Sequence, residues 1–406
     1  MKVPQQPEVN VGMVGHVDHG KTTLTQTLTG EWTDKHSEEI KRGISIKLGY
    51  ADTAVYRDPE LPEPDCYSIA ETHPTSGKKC TLERAISFVD VPGHETLMAI
   101  MLGGTSLMNG ALLLVAANEP CPQPQTREHL MALEIMGMER IIVVQNKVDL
   151  VSDARAKESA EEIRHFVAGT VAEKAPIIPV SAHHNANIDA LIGAMEHLIP
   201  SPKVDTTLPM RLIVARSFDI NKPGTLPQNL VGGVLGGSVL QGELAAGQEI
   251  EIQPENKGPR GYEGLVTRVN SLVSGGRTMK KVHPGGLVGL ATDLDPAKTK
   301  GDSMLGKIVG VPGTLPPVRE SLTLGITLLE RVAGSAGEQQ VDNLRANEPV
   351  LLNAGSATTV GMVRSARDKI VDLHLKLPLC VDDGARVAVS RRLGGRFRLI
   401  GFGVVQ

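Results

Sequence analysis

The segment GHVDHGKT at positions 15–22 decides the fold of the first half of this 406-residue chain. It fits the pattern G-x-x-x-x-G-K-[ST], follows an apolar stretch at 9–14 and precedes a helical one at 21–28, which is the context of a phosphate-binding loop. The glycines let successive backbone N–H groups turn toward phosphate oxygens, and the helix start adds the positive end of its dipole. Lys21 would reach the β- and γ-phosphates, and the Thr22 hydroxyl would bind Mg²⁺. The residues that we expect to contact the nucleotide here are Asp18, His19, Gly20, Lys21, Thr22 and Thr23.

A second motif, DVPGH at 90–94, ends another apolar strand pattern, AISFVD at 85–90. An Asp at the carboxyl end of a strand can hold Mg²⁺ through water, as we expect of Asp90, and the Gly93 amide can contact the γ-phosphate. His94 can orient the attacking water, so we expect it to be the catalytic residue; the alternative is a polar loop histidine. Because no arginine finger is identifiable in the sequence, hydrolysis is expected to be slow without a partner.

The base is predicted by two further motifs, NKVD at 146–149 and SAH at 181–183, which follow the strand patterns IIVVQ and IIPV. An Asp carboxylate can accept both N–H donors of guanine, Asn146 can tie its loop to the phosphate loop, and an amide of the second motif can reach guanine O6. The residues expected to contact the base are Asn146, Lys147, Asp149, Ser181, Ala182 and His183. Adenine offers the wrong pattern to the Asp149 carboxylate, and the motifs occur in the right order at the ends of strands, where open α/β sheets bind ligands, so we predict GTP rather than ATP.

Two breaks divide the chain. Strand and helix patterns alternate as far as PSP at 200–202 and predict a mostly parallel sheet with helices on both faces. Beyond it, short β-rich runs separated by Gly and Pro predict β-barrels, divided again at VPGTLPP, 311–317. The predicted fold class is an α/β P-loop GTPase domain at 1–203 followed by two all-β barrel domains at 204–318 and 319–406.

Composition excludes several classes of protein. A net charge of −4 gives no whole-chain basic signature, so any RNA contact has to be local. Four cysteines are too few for a disulfide scaffold, and no uncharged apolar run reaches the roughly 18 residues of a membrane helix. We expect a cytoplasmic protein without membrane contact.

The segment KRGISIKLGY at 41–50 lies between the first two motifs. The Ser45 hydroxyl can complete Mg²⁺ coordination only while the γ-phosphate is present, so hydrolysis would release the segment, as in an order–disorder switch. The alternative is an exposed charged loop.

Together the motifs resemble those of the translational GTPases, namely elongation factor Tu, the selenocysteine-specific elongation factor and the gamma subunit of initiation factor 2. The archaeal gamma subunit matches best, because KRGISIKLGY, FDINKPG at 218–224 and GGVLGGS at 232–238 look like its segments. The resemblance covers the whole chain. It implies a GTP/GDP- and Mg²⁺-binding carrier of methionylated initiator tRNA to the small ribosomal subunit, assembled with alpha and beta subunits.

The resemblance also implies a second Mg²⁺ position, served by Asp18 and Gly43, beside that of Thr22 and Ser45. The wider family usually has Thr where this chain has Ser45, and serine keeps the ligand oxygen.

The same family usually has a zinc knuckle of two Cys-x-x-Cys pairs before the strand that ends at Asp90. This chain has only Cys66 and Cys80 there, with His73 between them. Tetrahedral zinc is bound by four ligands at compact spacing, so we expect a metal-free loop.

Arginines accumulate at the C-terminus, with no acidic residue after Asp383. They can form a phosphate-contacting patch or a solvated barrel rim, and the sequence leaves both open. These residues are Arg386, Arg391, Arg392, Arg396 and Arg398.

Two other functions fit the sequence. An elongation-type carrier, selenocysteine-specific or elongation factor Tu-like, would bind elongator aminoacyl-tRNAs. A regulatory GTPase whose barrels bind only protein would show no GTP-dependent affinity for tRNA.

Overall fold

A computed structural model describes residues 2–33, 48–94, 98–203, 205–259, 261–329 and 340–406. The chain divides into two compact units, the first ending at Pro202 and the second beginning at Lys203. The predicted switch residues Gly43 and Ser45 lie outside the described ranges. Within those ranges, no helix is long and apolar enough to cross a membrane.

The first unit is built on a seven-stranded, mostly parallel sheet. Its strands are β1 (Val9–Gly15), β2 (Gly49–Arg57), β3 (Tyr67–Ser68), β4 (Thr81–Asp90), β5 (Gly110–Ala116), β6 (Ile141–Asn146) and β7 (Ile177–Pro179). The order is β3-β2-β4-β1-β5-β6-β7. The strands from β4 to β7 in this order pair in parallel. At the other edge, β2 pairs antiparallel with both β4 and β3. Every residue of β1, β5 and β6 is buried, as expected for parallel strands covered on both faces.

Helices connect these strands. Those described are α1 (Lys21–Thr29), α2 (Met98–Thr105), α3 (Pro124–Ile135), α4 (Asp153–Val167) and α5 (Ile188–Leu198). α1 ends at Gly30, whose left-handed φ of 73° suits a glycine C-cap. The buried guanidinium of Arg84 on β4 donates to the carbonyls of Met195 and Ile199 at 3.1 and 2.7 Å, and so adds hydrogen bonds to the carbonyl end of α5.

The second unit contains two β-barrels. The strands of the first are β8 (Arg211–Phe218), β9 (Val234–Gln241), β10 (Leu244–Ala245), β11 (Glu249–Gly258), β12 (Gly261–Ser274), β13 (Arg277–Met279), β14 (Lys281–Val282), β15 (Val288–Thr292) and β16 (Ile308–Gly310). The ring β11-β16-β8-β9-β15-β12 closes where β11 pairs with β12, and β13 extends it beside β12. β10 and β14 form a separate two-stranded pair.

The second barrel is a closed ring in the order β17-β20-β19-β18-β21-β22. Its strands are β17 (Val318–Leu328), β18 (Pro349–Ala354), β19 (Ala357–Arg367), β20 (Ile370–Cys380), β21 (Arg386–Leu393) and β22 (Arg396–Val405). Antiparallel pairing of β17 with β22 closes it, and closure leaves no free sheet edge. Each barrel has its own buried aliphatic core.

This architecture confirms the predicted fold class, a mostly parallel α/β domain followed by two all-β barrels. The antiparallel edge formed by β2 and β3 was not predicted. Gly49 and Tyr50, which the sequence assigned to the switch segment, are the first residues of β2.

Candidate nucleotide site

The phosphate loop joins β1 to α1 in a tight turn. At Gly15, a Cβ atom would lie 2.5 Å from the carbonyl oxygen of Leu114, so no side chain fits there. Asp18 and Gly20 have positive φ angles of 61° and 89° and turn the chain into α1. The ammonium group of Lys21 donates to the Gly15 carbonyl at 3.0 Å and the His16 carbonyl at 2.6 Å. The turn and the helix start together form the arrangement that binds phosphate.

A buried histidine outside the motif holds the start of this loop. The backbone N–H of Gly15 donates to Nδ1 of His129, on α3, at 2.9 Å. His129 is 1% exposed, and burial, then the charge of Lys21, lowers its pKa to about 3. His129 is therefore neutral, with its proton on Nε2. A histidine in a helical pattern was the one feature of the sequence that could have indicated this contact.

His19 fastens the loop to the sheet. Its Nδ1 donates to the carbonyl oxygen of Leu114, on β5, at 3.0 Å, and its side chain is fully buried. Burial lowers the pKa of His19 to about 4, so the ring is neutral and forms no ion pair with Glu119, although Nε2 lies 3.5 Å from that carboxylate. Any contact of His19 with phosphate is therefore made by its backbone.

Asp90, at the end of β4, accepts hydrogen bonds from two threonines. Its Oδ2 lies 2.9 Å from the Thr22 hydroxyl and 2.5 Å from the Thr33 hydroxyl. The structure thus brings together Thr22 and Asp90, both predicted to serve Mg²⁺. A hydroxyl and a carboxylate are hard oxygen ligands of the kind that Mg²⁺ prefers, so this donor set fits the ion. Thr33 belongs to no motif and was not predicted; its place shortly before the switch segment is the one feature that could have indicated it.

The loop that follows β4 packs on the phosphate loop. A Cβ atom on Gly93 would lie 2.6 Å from Lys21 Nζ and 3.0 Å from the backbone nitrogen of Val17. A side chain here would displace Lys21 and crowd the Val17 backbone, so glycine suits this close approach. His94 is the next residue and is half-buried, which places the predicted catalytic histidine beside the phosphate loop. Thr23 is half-buried in the first turn of α1.

Asn146 connects three loops. Its Nδ2 donates to the His19 carbonyl at 3.0 Å, and its Oδ1 accepts from the Ala182 N–H at 3.1 Å. A Cβ atom on Gly20 would lie 2.3 Å from Asn146 Nδ2, so this contact also requires a glycine. One buried amide thus fixes the phosphate loop, NKVD and SAH relative to one another.

Asp149, the last residue of NKVD, is partly exposed. Its side chain is 22% exposed, and Oδ2 lies 3.6 Å from His184 Nε2. A hydrogen bond from the Ser181 side chain keeps the pKa of Asp149 below its ordinary value, so the carboxylate is ionised and can accept N–H donors. Lys147 has a left-handed φ of 62°, and the exposed His183 contacts the ring of His184, with centroids 4.9 Å apart.

The segment between β2 and β4 does not offer a zinc site. Cys66 is fully buried in the core of the first unit, and Nδ1 of His73 accepts from the amides of Thr75 and Ser76 at 3.3 and 3.4 Å. In the part of the chain that the structure describes, no three His, Cys, Asp or Glu side chains are grouped to hold a metal. The donors present therefore do not fit a four-ligand zinc knuckle.

The C-terminal arginines have different environments. Arg391 is bound internally, since it pairs with Glu348 and donates to the carbonyls of Asp342 and Asn343 at 2.8 and 3.1 Å. Arg386 lies over the Phe402 ring at 4.8 Å. The remaining three, Arg392, Arg396 and Arg398, lie on the hairpin of β21 and β22.

Comparison with known proteins places this site in a family. Residues 6–201 match the family described as "Elongation factor Tu GTP binding domain", and residues 320–405 match "Initiation factor eIF2 gamma, C terminal". The chain is 57% identical over 406 residues to translation initiation factor 2 subunit gamma of Methanococcus aeolicus, with 99% of each chain covered. This chain belongs to the gamma-subunit family of translation initiation factor 2. Its members from Methanothermobacter thermautotrophicus and Methanocaldococcus jannaschii are 56% and 54% identical, over 99% and 100% of this chain and 99% of each relative.

Membership of this family confirms three predictions: the resemblance itself, GTPase activity with GTP and GDP as ligands, and a role in translation initiation. Neither the elongation-type carrier nor the protein-only regulator is favoured.

Solved structures show the same fold in related factors. A bacterial selenocysteine-specific elongation factor superposes with a TM-score of 0.75 and 27% identity, over 98% of this chain and 58% of that one. Elongation factor SelB of Methanococcus maripaludis, solved with a GTP analogue, superposes with a TM-score of 0.72 over 100% of this chain and 80% of that one. At 21% identity, this second likeness shows the fold alone.

Proposed function

We propose that this chain carries methionylated initiator tRNA to the small ribosomal subunit while GTP is bound, and releases it after hydrolysis. The observation that carries the proposal is the full-length identity of 57% to a gamma subunit of translation initiation factor 2. The assembled loops at the carboxyl ends of β1, β4 and β6 support the nucleotide-dependent part. In this proposal the protein acts in the cytoplasm.

The nucleotide would lie across the three loops that Asn146 connects. Lys21 binds the β- and γ-phosphates after leaving the carbonyls of Gly15 and His16, and backbone amides from Asp18 to Thr23 bind phosphate oxygens. Asp149 accepts from guanine, and the loop of Ser181, Ala182 and His183 places a backbone N–H near guanine O6. Lys147 lies along the base.

A magnesium ion would be held by Thr22 directly and by Asp90 through water. When bound, it would supply positive charge that offsets the negative charge of the phosphates. Asp18, Gly43 and Ser45 complete the proposed metal positions. Because Gly43 and Ser45 lie outside the described residues, their part rests on the family resemblance.

Hydrolysis in this proposal depends on His94. The Gly93 amide binds the γ-phosphate, and His94 beside it orients the attacking water. With no arginine finger identified in the sequence, a partner has to stabilise the transition state for fast turnover.

We also propose assembly with alpha and beta subunits. The last residue of β8 and the loop after it expose five large apolar side chains, and exposed apolar patches on soluble proteins mark interaction surfaces. Asn221 holds this loop in one conformation, since its side chain binds both the N–H and the carbonyl of Val231 at 2.8 Å. The exposed side chains are Phe218, Ile220, Leu226, Leu230 and Val231.

The tRNA proposal is tested by affinity for initiator and elongator aminoacyl-tRNAs, measured with a GTP analogue and with GDP in the presence of the alpha subunit. We expect tight binding only for methionylated initiator tRNA with the GTP analogue. Equal affinity for all aminoacyl-tRNAs would point to the elongation-type carrier, and no affinity to the protein-only regulator.

Subunit assembly is tested by co-purification with the alpha and beta subunits. Leu226→Asp should weaken capture of a subunit, because it puts a charge on the apolar loop. Leu240→Asp is the matched control, since Leu240 is comparably exposed on β9. Equal capture by both variants would show that this loop contacts neither subunit.

A further inference from the structure

The backbone of β1 needs two side-chain partners where its pairing with β4 stops, although its pairing with β5 continues to Gly15. Pairing of β1 with β4 ends at Met13, opposite Asp90. Two residues later, the carbonyl of Gly15 accepts from Lys21, and its N–H donates to His129 Nδ1 at 2.9 Å. Gly15 is the first residue of the phosphate loop, so these two bonds determine where that loop begins.

His129 is suited to accept and not to donate at this position. The ring is fully buried on α3, beside the ammonium of Lys21, and both features disfavour an imidazolium. The neutral ring with its proton on Nε2 leaves a lone pair on Nδ1, directed at the Gly15 N–H. Since Gly15 is packed against Leu114 without room for a Cβ, a shift of its backbone would be transmitted to the rest of the loop.

We propose that His129 is a positioning residue for phosphate binding, acting through the Gly15 amide. It touches no phosphate itself. By fixing the first residue of the loop, it preorganises the amides that follow, and preorganisation lowers the cost of binding. The inference rests on the proposed nucleotide site and adds a residue of α3, 114 positions away in the chain.

The test uses three variants of the full chain. His129→Asn places an acceptor oxygen near the position of Nδ1, His129→Gln places its amide near Nε2, and His129→Leu offers no acceptor. Affinities for GDP and GMP are measured by competition against a fluorescent guanine nucleotide. GMP lacks the β-phosphate, so it reports on the base loops with little contribution from the phosphate loop.

We expect His129→Leu and His129→Gln to bind GDP roughly 10- to 100-fold more weakly, the range for a buried N–H left without its acceptor. Binding of GMP should change less than about twofold, and His129→Asn should restore most of the GDP affinity. A histidine that only fills space would give a different pattern: GDP and GMP losses would be equal, or Asn would be no better than Gln.

Two results would overturn the inference directly: unchanged GDP affinity in His129→Leu, or equal GDP affinity in the Asn and Gln variants. If the Leu variant does not fold, the Asn–Gln pair still decides. Failure of the wild-type chain to bind GDP would instead contradict the proposed function, so the two failures are distinguishable.

Discussion

Asn146 Nδ2 lies 3.0 Å from the carbonyl oxygen of His19 and donates a buried hydrogen bond to it. The same side chain accepts from the Ala182 amide. Asn146 belongs to the NKVD motif, but both hydrogen bonds of its side chain go to other loops, the phosphate loop and the SAH loop. It therefore connects these loops. Loss of this side chain should affect phosphate and base contacts together.

Asn146→Ala should weaken GDP and GMP by similar factors of about 10 or more, because it leaves a buried carbonyl and a buried amide without partners. Equilibrium titration with both nucleotides measures this. Gln123→Ala is the control, since its amide donates to the Pro120 carbonyl in an exposed loop. A selective loss of GDP alone would contradict the connecting role.

Asp149→Asn should weaken GTP and relax the preference toward xanthine nucleotides. The carboxylate accepts two guanine N–H groups, whereas an amide offers one acceptor and one donor, and the donor suits the extra carbonyl of xanthine. Competition of GTP against xanthosine triphosphate measures the ratio. Unchanged GTP affinity would remove Asp149 from the base site.

Thr33→Val should reduce the dependence of GTP affinity on Mg²⁺, because Asp90 loses one of its two hydroxyl donors. A hydrogen bond to a charged group contributes about 1.5–3 kcal/mol, so we expect roughly tenfold weaker Mg²⁺-dependent binding. Thr29→Val is the matched control on α1, since its hydroxyl donates to the Thr25 carbonyl. Equal Mg²⁺ titrations for both variants would exclude Thr33 from the site.

The sequence predicted those site residues whose role depends on their own strand end. Four of them lie at or just after the carboxyl end of an apolar strand, and parallel strands bring these ends to one edge of the sheet. They are Lys21, Thr22, Asp90 and Asn146. His129 and Thr33 were missed because their contacts depend on how distant elements approach β1 and β4, which local spacing does not encode. Strand β2 was missed for a similar reason, because its antiparallel pairing with β3 and β4 is what distinguishes it from a loop.

His94→Ala should leave GTP affinity unchanged and slow hydrolysis by at least about tenfold, if His94 positions the attacking water. Single-turnover hydrolysis, with the small ribosomal subunit present, separates chemistry from binding. His165→Ala, on the exposed surface of α4, is the control. Turnover equal to wild type would show that another group positions the water.

The stability of the first unit should fall on mild acidification because of His129. Its native pKa of about 3 is depressed by burial first, then by the charge of Lys21, and His16 and His19 also face it and disfavour a further proton. An unfolded histidine titrates near 6.5, so below that pH the unfolded chain binds a proton that the native chain does not. The contribution of His129 is therefore complete above about pH 6.5 and is lost progressively as the pH falls toward 3.

His129 should contribute a slope of about 1.4 kcal/mol per pH unit to the free energy of unfolding of the nucleotide-free chain between about pH 6 and pH 4. Trp32 is the only tryptophan of the chain and lies in the first unit, so its fluorescence follows this unfolding. In His129→Asn the slope should decrease by that amount, because the variant has no ring to protonate. Groups that do not face His129, including the half-buried Glu196 with its raised pKa, titrate in both proteins and cancel in the difference. Equal slopes for wild type and variant would contradict this prediction. They would mean that native His129 is protonated, which is incompatible with its accepting a hydrogen bond from the Gly15 N–H.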